Sequence, residues 1–106
     1  MGDLDKAITR FYKQIMQARE AEARERGPEA LAEVRAHGQR FLLGIELLSA
    51  RLDARMTMED LAQASGVSVE EIAGIEQAKV EPSLEALALL LAPLGKRLSI
   101  VPDEDD

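Results

Sequence analysis

No cysteine occurs in this chain. That excludes disulfides, thiolate nucleophiles and Cys-based metal sites, and it fits a reducing, cytoplasmic setting. Aromatic residues are nearly missing. Phe11, Tyr12 and Phe41 are the whole set, too few for a platform that stacks single-stranded nucleic acid. His37 is the sole histidine, so no Ser-His-Asp or Cys-His set can be assembled, and it reads as a surface residue. There is no Gly-rich phosphate loop, and the acids of "DEDD" at 103–106 lack the spacing of a calcium loop. Catalysis, metal binding and cofactor binding therefore have no supporting residues. No apolar run approaches the length of a membrane span, and "MGDLDKAITR" is not a signal peptide.

Positive charge is scarce in one half. Residues 1–55 hold ten Lys/Arg and nine Asp/Glu, a net of +1. Residues 56–106 hold three against eleven, a net of −8, within an overall −7. Phosphate binding depends on Lys and Arg, so the second half is poorly endowed for tight nonspecific DNA affinity. A soluble acidic surface accounts for the same imbalance equally well.

Apolar content of 46% is enough for a modest core, and the length of 106 residues fits one domain with an appendage. Leu4, Ile8, Phe11, Ile15 and Ala18 recur in steps of four and three, which predicts a helix over 3–26. Tyr12 and Met16 widen its apolar face. Gly27-Pro28 ends that helix and starts the next. From 28 to 54, Leu31, Val34, Gly38, Phe41, Ile45, Leu48 and Leu52 keep strict 3-4 spacing, a coiled-coil-like seam. The pair predicts an antiparallel hairpin. The seam could close within one chain or between two. Leu43 and Leu47 add a second stripe at 41–48, so this helix should be buried on two sides.

Short helices follow. Thr57, with Asp60 three residues on, caps one that ends at Gly66. Ser68 with Glu71 forms a capping-box pattern for the next, running to about Ala78. Pro82-Ser83 starts a third, which stops near Pro93 and Gly95. "KRLSIV" at 96–101 alternates Leu98 and Ile100 and predicts a strand. A short helix, the turn Gly66-Val67-Ser68 and a second short helix make a helix-turn-helix arrangement. Leu61, Ala62, Val67, Ile72 and Ile75 are its expected apolar pins.

The segment from Met56 to Gly95 resembles the Xre, or lambda-repressor-like, family. The matching residues are Thr57, Leu61-Ala62, Gly66-Val67-Ser68, Ile72, Ile75-Glu76, Pro82-Ser83 and Leu87. "LGKRLSIVP" is similar to the continuation found in HigA-type antitoxins. The resemblance spans roughly 40–102 and implies a helix-turn-helix domain (40–95), then a short C-terminal β-strand with an acidic tail (96–106). The N-terminal helical extension (1–39) rests on its own periodicity and gains no support from the resemblance. With it, the expected fold is all-α. The resemblance also implies a dimeric regulator that binds double-stranded operator DNA and neutralises a partner toxin.

The positions that would meet DNA are Arg51, Arg55, Thr57, Ser68, Val69, Glu70, Glu71, Gly74 and Lys79. Glu76 is expected to be a structural hydrogen-bonder. Leu4, Ile8, Phe11, Tyr12, Ile15 and Met16 would grip the partner, and Leu98 and Ile100 would pair in a homodimer. The family usually places donors where Val69, Glu70, Glu71, Ala73 and Gly74 stand, and Gly where Ala78 stands. Adjacent carboxylates repel phosphate, which keeps open a second reading: a helix-turn-helix turned protein-interaction module that no longer binds DNA.

Overall fold

The computed structural model describes residues 2–102, with side chains from Lys6 onward. The side chain of Leu4 and the acidic tail at 103–106 lie outside the described residues. Five α-helices follow in order: α1 (Gly2–Arg26), α2 (Pro28–Asp53), α3 (Met58–Ser65), α4 (Val69–Glu76) and α5 (Leu84–Leu91), with a 3₁₀ turn at Ala92–Leu94.

Helices α1 and α2 fold back on each other across Gly27-Pro28, with Pro28 in the first turn of α2. The hairpin closes within the chain. Tyr12 stacks on Phe41 with ring centroids 5.1 Å apart, Glu20 pairs with Arg35 at 3.6 Å, and Met16 and Ala23 are buried. Gly38, the one seam position without a side chain, is a contact. A Cβ there would collide with the Tyr12 hydroxyl and lie 3.0 Å from Met16 Cε.

The opposite side of α2 lies on the helix-turn-helix. At Gly44 a Cβ would stand 2.6 Å from the Ile75 carbonyl oxygen and 2.8 Å from that of Glu76. The missing side chain lets α2 touch the backbone at the end of α4. Burial on two sides, expected for 41–48, thus has a named neighbour on each side. Because α2 is unbroken through 39 and 40, the hairpin and the helix-turn-helix share one helix.

The core beneath α2 consists of Leu47, Leu61, Val67, Ile72, Ile75 and Leu90, all buried, with Met56, Met58, Ala62, Leu91 and Leu94 packed against it. Each fully buried Leu or Ile contributes about 1.5–3 kcal/mol of transfer free energy. Caps set the angles between the short helices. Thr57 and Asp60 form the reciprocal capping box at α3. At α4 the Ser68 hydroxyl accepts from the Glu71 N–H, which is one half of such a box. The full box therefore sits one helix earlier than the sequence pattern indicates. Gly66 ends α3 at φ 83, a left-handed conformation that suits glycine.

The expected strand at 96–101 is absent among the described residues, so the fold is all-α without it. A lone strand has no partner for its backbone groups within one chain. Its alternating side chains also find no second layer: Leu98 is 46% exposed and Ile100 99%.

Candidate nucleic-acid interface

The surface that a duplex would meet is built from the N-terminal ends of α3 and α4, the turn between them and the loop that follows α4. Thr57 and Ser68 sit at those ends, both exposed, each with its hydroxyl accepting a backbone N–H 3.0–3.1 Å away. Glu59 and Asp60 lie in the first turn of α3, and Glu70 and Glu71 in the first turn of α4. These carboxylates favour the helix N-termini electrostatically but occupy the position where a phosphate would bind. Glu70 is exposed, while Glu71 and Val69 are half-buried. Arg55 and Lys79 are exposed at either side.

Arg51 is not an available cation. It is 7% exposed. Its Nε and Nη2 donate to Glu76 Oε2 and Oε1 at 2.7 and 3.0 Å, and its Nη1 donates to the Met56 carbonyl at 3.0 Å. The hydrogen bonds to Glu76 hold the guanidinium's pKa above its ordinary value against the opposing effect of burial, with the charges of Glu76 and Glu59 adding to the rise. This fork ties the end of α2 to the end of α4 and to the loop entering α3. Glu76, with its side chain 4% exposed, is the other half of the tie. A sequence signal for Arg51 did exist: it falls on the Gly44–Leu47–Arg51 stripe of α2, in steps of three and four, facing the core.

Gly74 is not a shortened reader either. It lies under the loop, where a Cβ would meet Val80 Cγ2 at 2.5 Å. Its carbonyl accepts the N–H groups of Lys79 and Val80 at 2.8 and 3.2 Å. The chain reverses at Ala78, which holds φ 61. Glycine would adopt that conformation freely and alanine does not, so the replacement at this position carries strain. Arg55 takes a similar conformation, φ 59.

The profile of the helix-turn-helix family HTH_3 matches residues 47–101. The chain belongs to the helix-turn-helix family. It is similar to an uncharacterized HTH-type transcriptional regulator of Haemophilus influenzae, 44% identical over 70 residues that make up 66% of this chain and 71% of that protein. No solved structure matches. The family match begins at residue 47, late in α2, so α1 and most of α2 are an addition to the matched unit.

On that addition, the residues expected to grip a partner divide. Phe11 and Ile15 are 65% and 43% exposed. Ile8 and Tyr12 are half-buried, and Met16 at 8% is packed inside the hairpin. Met16 is thus a core residue of the hairpin and not a docking one. No helix among the described residues is long and apolar enough to cross a membrane.

Proposed function

We propose that this helix-turn-helix protein is a cytoplasmic, DNA-binding transcriptional regulator that acts as a homodimer on operator DNA. The observation carrying the reading is the intact frame. Two capped helices are locked at a fixed angle by Leu61, Val67, Ile72 and Ile75 and by the Arg51–Glu76 fork. Such a frame presents α4 and two helix N-termini to a groove. The acidic face makes binding weak and the salt slope shallow, since Arg55 and Lys79 are the exposed cations at the motif. Fluorescence anisotropy on the region upstream of the coding sequence tests this. Saturable binding that survives unlabelled random duplex supports it; equal competition by random duplex refutes operator recognition.

Glu70→Gln/Glu71→Ser should tighten that binding by removing two repelling charges. The cap at α4 uses the Glu71 N–H and not its carboxylate, so the cap should survive. The cost is the loss of two favourable charges at the helix N-terminus, about 0.3–1 kcal/mol each. If the double variant instead loses binding, the glutamates are readers, accepting from cytosine N4.

The finer reading is a HigA-like antitoxin whose hairpin holds a partner toxin. Its support is the apolar surface left uncovered by hairpin closure: Phe11, Ile15, and Phe41 at 37% exposed. Co-purification with the product of an adjacent reading frame, lost on Phe11→Asp/Ile15→Asp, is the expected result. The rival reading, a module that has lost DNA binding, is favoured by the acids at 70 and 71 and predicts no duplex binding by either the wild type or the double variant.

A further inference from the structure

From residue 56 to residue 78, the whole helix-turn-helix contains no Lys or Arg. With Arg51 committed to Glu76, Arg55 and Lys79 at the margins of the motif are the cations left to neutralise the phosphates that flank a groove-bound helix. The hairpin has the opposite character at the end nearest α4. Residues 6–19 carry Lys6, Arg10, Lys13 and Arg19 with no acid, and residues 34–45 carry Arg35, His37 and Arg40 with no acid. These stretches lie side by side, as the Tyr12–Phe41 stack and the Gly38 contact with Met16 require. Of the nine acids of α1 and α2, Glu20, Glu22, Glu25, Glu29 and Glu33 lie toward the far end, while Asp3, Asp5, Glu46 and Asp53 flank the basic stretches on the near side.

Within this region Arg19, His37 and Arg40 line one open cleft of about 430 Å³, with Val34 and Ala36 in its wall and Glu33 its one acid. Arg35 is turned to the other side of the hairpin, where it meets Glu20. Arg40 stands one helical turn before Gly44, the residue that touches the end of α4. Arg40 also reaches Glu81 at 4.0 Å, in the loop that carries Lys79. That pair is long and Glu81 is 81% exposed, so it yields readily to a stronger anion. Through Arg40, one edge of the cleft adjoins the loop that follows α4.

We infer that the Arg19–His37–Arg40 cleft of the hairpin grips the phosphate backbone of duplex DNA beside the groove occupied by α4, supplying the positive charge that the helix-turn-helix lacks. The inference rests on the DNA-binding reading above. A planar guanidinium and an imidazole N–H are suited to phosphate oxygens. The hairpin acts on this view as part of the DNA-binding surface, and it adds affinity without adding base readout.

The test is fluorescence anisotropy with the upstream duplex over a series of salt concentrations, using full-length wild type, Arg19→Gln, Arg19→Gln/Arg40→Gln and Glu81→Gln. Two lost phosphate contacts should weaken binding by roughly tenfold and flatten the log–log salt slope by about 1.8. Glu81→Gln releases Arg40 and should tighten binding several-fold. Arg19 is exposed, so Arg19→Gln alone keeps the measurement readable should the double variant unfold. It is expected to give about half the slope change. If the wild type binds the duplex and all variants match it in affinity and slope, the cleft is not a DNA contact and is left to an acidic protein surface. If the wild type binds no duplex at any salt concentration, the DNA-binding reading falls and the inference with it.

Discussion

At the scale of single residues, the Arg51–Glu76 fork matters most. Both side chains are nearly sealed from water, so removing one leaves the other charged and unpaired. Arg51→Ala or Glu76→Ala should cost about 3–5 kcal/mol, read as a lower urea midpoint. Replacing both with apolar residues, Arg51→Met/Glu76→Leu, should recover most of that loss, because desolvation of two charges is then avoided. Ala78 offers the opposite sign. Its φ of 61 disfavours any residue with a Cβ, so Ala78→Gly should raise stability by about 0.5–1 kcal/mol once the greater freedom of glycine in the unfolded chain is subtracted. An unchanged urea midpoint would show that the loop relaxes around Ala78.

At the scale of elements, α2 decides the arrangement. Its glycines look like helix breakers, yet they mark where other parts of the molecule press closest. Gly44→Ala improves helix propensity by about 1 kcal/mol but drives a methyl into the Ile75 and Glu76 carbonyls. Backbone cannot step aside as a side chain can. The variant should therefore lose about 1–3 kcal/mol net, seen as a lower melting temperature. A gain would mean that α2 and α4 can separate without loss. The caps act at the same scale. Thr57→Ala removes one arm of the box at α3 and should cost about 1 kcal/mol.

The whole molecule measures 45 × 28 × 22 Å, elongated along a hairpin that stands beside the helix-turn-helix. Tyr12 reports on that hairpin. Burial, with Glu20 adding and Arg19 opposing, holds its hydroxyl pKa above the ordinary value of 10.0. The unfolded chain then releases the phenolic proton at lower pH than the folded one. Below about pH 10 this group makes no difference to stability; stability should fall as pH rises from there through the folded value. Urea titrations from pH 8 to 11 should show the fall, and Tyr12→Phe should reduce it. Deleting residues 1–26 should bare Leu31, Leu42 and Gly38, lower solubility and abolish any partner binding through α1. A truncated chain that stays soluble and still binds would mean that the hairpin is a passive extension.

Local chemistry in the sequence determined the helices. Apolar steps of three and four, Gly27-Pro28, and hydroxyl residues ahead of each short helix set α1 to α5 to within a residue or two, because periodicity and capping are properties of neighbouring residues. The helix-turn-helix frame was legible for the same reason: its turn and pins lie within one short stretch. What Arg51, Gly44, Gly74 and Ala78 do was decided only by tertiary structure, since each answers to a neighbour that chain order alone does not set. Arg51 meets a carboxylate 25 residues away, Gly44 meets a backbone on another helix, and Gly74 and Ala78 answer to the path of a loop. The strand read at 96–101 failed on the same ground. Alternation in sequence supplies side chains for two faces, but a strand needs a second backbone to bond with, and within the described chain none lies beside it.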